Sequence, residues 1–231
     1  MDIFERNELT PDTHFRYEIA QNKHSDGIVK IFTEAFCGSE PMTHYLQIDP
    51  QKFLAFSTKV TENAIADQLS IVALDGNNVI ACALVEDLAD MREAPIDFDP
   101  NFKYILSLLE KLDGNFFKDN KFEKNHIAHL FITAVDKDYR RRGLSTQVNF
   151  HAMDIASKRG FQFMYSELTN FYNEMGVFNH MKDKHRYLLG ACDYKDFEID
   201  GFKPFPDLPG YAHGYLWEIS EGAVLKYHKN A

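Results

Sequence analysis

Apolar residues recur along the chain first with a strand-like period and then with a helical one. Residues 15–20 (FRYEIA) alternate and predict a first strand. Ile28, Ile31, Phe32 and Phe36 fall at helical spacing within 24–37, with Gly38 marking the end. A second helix is predicted over 51–67, where Phe53, Leu54, Phe56, Val60 and Ile65 are apolar. Two apolar runs, 69–74 and 79–85, flank Asp75-Gly76-Asn77-Asn78, which predicts a hairpin. Residues 86–125 break this rhythm. Glu86, Asp87, Asp90, Glu93, Asp97 and Asp99 make the first half acidic, Pro95 and Pro100 interrupt it, and a helix follows over 101–112. The apolar content is too small for a separate core, so the segment reads as an insertion packed on the domain.

The run 127–135 (IAHLFITAV) is the most strand-like in the chain. After a charged turn come a helix over 145–158 closed by Gly160, a strand over 161–167 and a helix over 170–182. The tail 187–219 alternates aromatic and polar residues around Pro204, Pro206 and Pro209, and predicts two antiparallel strands, the last over 214–219. This order specifies a mixed α/β fold: one sheet with a single parallel step in its middle. We read residues 1–231 as a single domain.

The 231 residues suffice to bury a real core, and 20 Phe with 11 Tyr point to an aromatic-rich core or pocket. A net charge of −10 argues against nucleic acid and against anionic membrane as partners. It suits a positively charged substrate, although acidity also serves solubility. Cys37, Cys82 and Cys192 are widely spaced with no CxxC pair, so neither a metal site nor a disulfide framework is expected; reduced thiols in a cytoplasmic setting account for them. Residues 1–8 lack the apolar core of a signal peptide, and nowhere do 18 apolar residues run together.

The chemistry concentrates in Val135-Asp136-Lys137-Asp138-Tyr139-Arg140-Arg141-Arg142-Gly143-Leu144-Ser145. A buried strand ends, three arginines follow, and Gly143 opens a helix whose first N–H groups and dipole attract phosphate. Gly143 also lets a ligand approach the backbone. These features specify an anion of pyrophosphate size, or else a solvated arginine turn. Neither the Walker pattern nor a GxGxxG turn is present, which disfavours nucleoside triphosphates and dinucleotides.

In these residues the chain resembles the GNAT acyltransferase superfamily. Val135, Tyr139 and Arg140-x-x-Gly143-x-Ser145 match its signature, with Lys137 and Ser145 departing from the usual Pro and Gly or Ala. The resemblance implies a mostly antiparallel sheet with one splayed parallel pair, helices on both faces, and acetyl-CoA as co-substrate with no metal. It implies that the strand backbone at Thr133, Ala134 and Val135 pairs with the pantetheine arm. Arg140, Arg141, Arg142, Gly143, Leu144, Ser145 and Thr146 would hold the pyrophosphate. Asn170, with Asn173 nearby, heads the next helix and would bond the arm where the strands splay. Asn170 is also compatible with an ordinary helix cap.

Acetyl transfer to an amine needs a base for the ammonium and a proton for the departing thiolate. Phe36-Cys37-Gly38-Ser39-Glu40-Pro41-Met42 is similar to an element of insect-type arylalkylamine N-acetyltransferases, and by that likeness Glu40 is the base. A capping Glu in a Ser-Glu-Pro turn is the alternative. His129 is a rival base, or else a hydrogen-bonded core histidine; His126 and His129, three apart on a strand, face opposite ways and share no metal. The Tyr that many relatives carry about seven residues beyond the Asn is missing here: Val177-Phe178 stand there. Thr169, Tyr172 and Asn173 are nearby, and the leaving-group acid stays unassigned. Asp87, Asp90 and Glu93 either draw a cationic amine to the mouth or form a solvated face. Phe32, Phe36, Tyr45, Tyr211 and Tyr215 either line an acceptor pocket or belong to the core. The expected acceptor is a small primary amine, aryl, alkyl or polyamine-like. A peptide or protein acceptor, or a silent CoA-binding domain, is the alternative. The aromatic C-terminal strands offer an edge for a homodimer.

Overall fold

The structure is a computed structural model that describes residues 14–90, 99–113, 116–181, 184–225 and 228–229. The first half comprises β1 (Arg16–Ile19), α1 (Ser25–Ser39), α2 (Pro41–Tyr45), α3 (Pro50–Ala66), β2 (Ile71–Asp75), β3 (Asn78–Asp87), α4 (Phe102–Leu112) and α5 (Phe116–Asp119). Then come β4 (Asn120–Lys121), β5 (Ile127–Val135), α6 (Leu144–Lys158), β6 (Phe163–Leu168), α7 (Phe171–His180), β7 (Arg186–Asp193), β8 (Tyr211–Glu218) and β9 (His228–Lys229). The expectations for residues 1–8, Glu93, Pro95, Asp97 and Lys182 lie outside the described residues.

Acid-proline pairs start two of the helices. Asp49 caps α3 by accepting from the Gln51 amide at 2.8 Å, and Pro50 follows at the first helical position. Glu40 and Pro41 repeat the device at α2, a short helix that the apolar periodicity did not reveal. Seven strands form one sheet in the order β1-β2-β3-β5-β6-β8-β7. Every neighbouring pair is antiparallel except β5 and β6, so the mixed α/β fold with one central parallel step is what the chain adopts. β4 and β9 pair separately.

Helices cover both faces. On one, α1, α3 and α4 bury an aromatic cluster in which Phe32, Phe53, Phe56 and Phe102 meet mostly edge to face. On the other, α6 brings Val148 and Ala152, and α7 brings Val177 and Phe178. The segment 86–125 contributes directly to the first core, because Phe102, Ile105, Leu108 and Leu112 of α4 are all buried there. Two glycines make room for it. A β-carbon on Gly190 of β7 would lie 2.4 Å from the Leu112 carbonyl oxygen, and one on Gly214 of β8 would lie 2.7 Å from it.

A β-bulge in β5 sets the stage for the site. Leu84 pairs with Ile132 and Val85 with Leu130, so Phe131 is an extra residue. Before it, Ala128 and Leu130 face the α6 side; after it, Ile132 and Ala134 face α1 and α3. The bulge therefore turns Thr133 toward α6, where its hydroxyl donates to Asn149 Oδ1 at 2.7 Å. No helix among the described residues is long and apolar enough to cross a membrane.

Candidate active site

The parallel pair β5 and β6 runs together for only three registers, Ile127 with Phe163, Ala128 with Met164 and His129 with Tyr165. Beyond them β5 continues along β3 to Val135, while β6 continues along β8 to Leu168. The strands part, and the backbone groups that β5 would have offered β6 face the gap instead. A cleft of about 1380 Å³ opens there. Of the residues singled out from sequence, Glu40, Thr133, Ala134, Val135, Arg140, Arg141, Gly143, Leu144, Ser145, Asn170 and Asn173 line it. Arg142 and Thr146 do not: Arg142 lies over the Tyr139 ring at 5.0 Å, and Thr146 faces Gly176 of α7.

At one end the turn after β5 is shaped for an anion. Asp136 accepts from the Asp138 amide at 2.9 Å, and Tyr139 Oη donates to Asp75 at 2.7 Å, which pins the turn to β2. Arg140 is extended, Arg141 is left-handed with φ 64°, and Gly143 is left-handed with φ 74°. Two left-handed residues so close together fold the chain tightly just before α6 begins. For an arginine the left-handed region costs about 1 kcal/mol, the kind of strain found at functional sites. No side chain caps α6, so its first N–H groups remain available. Arg140 Nη2 donates to Ser39 Oγ at 3.0 Å, joining the turn to the end of α1. Arg141 has no hydrogen-bond or ion-pair partner among the described residues.

Glu40 lines the cleft where α1 ends and neighbours Thr169, the residue after β6. Its Oε2 accepts from the Thr43 amide at 2.7 Å, so the capping role is real. Its Oε1 is buried and makes no hydrogen bond of normal geometry among the described residues. Burial pushes the carboxyl above its usual range, outweighing stabilisation of the charged form by Thr43, Thr169 and Met42. Tyr194, buried beneath, donates to the Thr169 carbonyl and feels the Glu40 charge. Asn170 caps α7, accepting from the Tyr172 amide at 2.8 Å, and keeps its amide N–H₂ for other partners. Val177 and Phe178 pack in the core, and Tyr172 is 82% exposed at the mouth.

His129 is not a free base. Its Nδ1 lies 3.2 Å from Glu86 Oε1 and its Nε2 lies 2.9 Å from Glu167 Oε2. Burial favours the neutral ring, but Glu167 and Glu86 outweigh it and push the imidazole up to about 10. The two carboxylates thus favour the imidazolium form of His129, in which both ring nitrogens donate. No group of three acidic, His or Cys side chains among the described residues could hold a metal ion.

Glu86, Glu167 and Tyr165 line the cleft and were not singled out from sequence. Asp87 and Asp90 have structural work: Asp87 binds the amides of Ala89 and Asn125, and Asp90 pairs with Lys124. Of the aromatic candidates, Phe36 lines the cleft, Phe32 is fully buried in the core, Tyr45 packs on Phe205, and Tyr215 bonds Glu174 of α7. Tyr211 stacks on His213.

The family model described as the acetyltransferase (GNAT) family matches residues 28–177. The chain belongs to this family. The match spans most of α1 through most of α7, and so contains the splayed strands, the arginine turn and Glu40. No curated protein sequence matches the chain significantly. Among solved structures, this GNAT chain is similar to the C-terminal condensation domain of Ebony in complex with β-alanyl-dopamine, at 17% identity and a TM-score of 0.77. That likeness covers 88% of this chain and 98% of the other. An arylalkylamine N-acetyltransferase 2 from Aedes aegypti aligns at 18% identity and a TM-score of 0.66, over 88% and 98%. A polyamine N-acetyltransferase of Drosophila melanogaster that forms N-acetylagmatine aligns at 13% identity and a TM-score of 0.66, over 88% and 99%. All three share the GNAT fold.

Proposed function

We propose that this GNAT protein transfers the acetyl group of acetyl-CoA to a small primary amine, with Glu40 as the general base. The observation that carries the reading is the buried, unpartnered Glu40 Oε1 on the wall of the cleft where β5 and β6 part. A carboxylate spending one oxygen on a helix cap is fixed in place. Its other oxygen, with a raised proton affinity, suits removal of a proton from an incoming ammonium through a water.

The residues present fit the donor. The turn at Arg140 to Gly143 and the start of α6, which no side chain caps, offer N–H groups to a pyrophosphate, and Arg141 adds a cation that has no partner among the described residues. Backbone at Thr133 to Val135 and the Asn170 amide offer partners to the amide groups of a pantetheine arm. Acetyl-CoA supplies an activated acetyl thioester. The chain binds the phosphates, lays the arm along β5 and holds the proton acceptor at Glu40. A thiolate needs less help to depart than an amine, since a thiol's pKa lies far below an ammonium's. No residue is assigned as its acid.

Two features support a small acceptor over a peptide. Leu106 and Leu109 of α4 line the cleft, and so do Phe117 and Phe122 from the same 86–125 segment, which gives it bulky apolar walls. The test is release of CoA thiol from acetyl-CoA across a panel of primary amines. Saturable turnover with at least one small amine is expected. Tight CoA binding with no turnover on any amine would leave a silent CoA-binding domain as the better reading.

A further inference from the structure

The end of the cleft away from the arginine turn is strongly acidic. Four carboxylates line it, Glu86, Glu110, Asp113 and Glu167, against the His129 imidazolium and the Lys121 ammonium, which leaves a net charge of −2. Glu86, His129 and Glu167 come from three adjacent strands, and their side chains are only 11–15% exposed. Each of the two glutamates gives one oxygen to the imidazole ring. A second feature stands beside them. Tyr165 is 2% exposed and lines the same end, and its Oη has no hydrogen-bond partner of normal geometry among the described residues. Glu167 and Asp113 are the charges it senses. Glu167 also lies within hydrogen-bonding influence of this hydroxyl, and a buried O–H with no bond of normal geometry beside surplus carboxylates leaves acceptor capacity for an incoming donor. The Phe117 ring packs edge-on against Tyr165 with centroids 4.5 Å apart, so the pocket also offers π faces to a cation.

We propose that this end is a second cation site, and that the acceptor carries a positive group there while its other, reacting amine lies at Glu40. The acceptor class is then an alkyl diamine or a guanidinoalkyl amine rather than an arylalkyl monoamine. The proposal rests on the acetyl-transfer reading above. Spacing fits it. Glu167 precedes Thr169, the neighbour of Glu40, by two residues of extended chain, or about 7 Å, the reach of a short aliphatic linker. His129 has a defined part: it holds the two glutamates in place and trims the local charge, so that one added cation is close to neutralising the cluster. Because it keeps its proton, it does not compete as the base.

The experiment compares kcat/KM for cadaverine, agmatine, pentylamine and phenylethylamine in the full chain with acetyl-CoA. Cadaverine or agmatine should exceed pentylamine by about tenfold or more, the effect carried mainly by KM. Which of the two leads tells ammonium from guanidinium. Glu167→Gln should bring the ratio close to one. Tyr165→Phe, which removes only an unpartnered hydroxyl, should lower the ratio several-fold without lowering the melting temperature. A wild-type ratio near one, or a ratio that survives Glu167→Gln in folded protein, overturns the proposal. If no amine is acetylated, calorimetry of cadaverine on the CoA-loaded protein decides. Saturable binding that Glu167→Gln abolishes upholds the cation site while the transfer reading falls, and no binding overturns the site.

Discussion

Glu40→Gln separates the two duties of one side chain. The Gln carbonyl oxygen can still accept from the Thr43 amide, so the cap on α2 is kept. What disappears is the proton acceptor. An alkylammonium with a pKa near 10.4 is only about one thousandth neutral at pH 7.4, and a positioned general base contributes roughly 10²–10⁴-fold. The variant should therefore lose about 10²–10³ in kcat/KM near neutral pH. At about pH 10, where much of the amine is already neutral, the deficit should shrink to within about tenfold. Wild-type kcat/KM should fall with slope one as pH drops through the Glu40 pKa, and that limb should lie above the usual carboxylate range because burial raises it. The substitution puts an amide N–H₂ where the buried Oε1 stood, so a polar group remains there, while the cost of burying a charge is relieved. Stability should hold or rise. Thiol-release kinetics between neutral and alkaline pH, with a thermal melt, check all three. Full activity at neutral pH, or a loss equal at every pH, would refute the base assignment.

Gly143→Glu places a side chain and a negative charge at a left-handed position lining the cleft at the start of α6, and CoA affinity by calorimetry should fall below detection; unchanged affinity would remove the pyrophosphate from this turn. Gly190→Ala drives a β-carbon to 2.4 Å from the Leu112 carbonyl, so α4 must shift. Overpacking of this kind costs about 1–3 kcal/mol in urea unfolding, and the amine KM should rise while CoA affinity stays. His129 is pushed up to about 10, above its unfolded value near 6.5, so its contribution is complete below pH 6.5 and fades as pH rises through 10. Urea stability should fall as pH rises over that window, and His129→Gln should flatten the slope; a wild-type midpoint that does not move with pH would contradict the imidazolium.

Much of the fold was legible because it rests on local signals. The strand predicted over 127–135 is β5 residue for residue, and the helix predicted over 145–158 begins one residue earlier. The arginine turn before α6 was legible for the same reason, since its arginines, its glycine and the helix start are consecutive. Helix α2 was missed because five residues show no periodicity, although the Glu40-Pro41 pair is a start signal in itself. The bulge at Phe131 was missed because a two-residue period cannot register one extra residue. The Glu86, His129 and Glu167 cluster was illegible for a deeper reason. Its members lie 43 and 38 residues apart, and only the order of β3, β5 and β6 in the sheet unites them. Sequence left His129 open as a base or a core histidine. Its partners, Glu86 and Glu167, hold it in a hydrogen-bonded network, and Glu40 remains the proposed base.

A crystal structure of the chain with acetyl-CoA tests the central claim most directly. The account predicts the pyrophosphate on the amides between Arg141 and Thr146, the pantetheine arm along Thr133 to Val135, and the thioester in the gap between β5 and β6 beside Glu40. Acetyl-CoA bound outside that gap, or a thioester out of reach of Glu40, would contradict it.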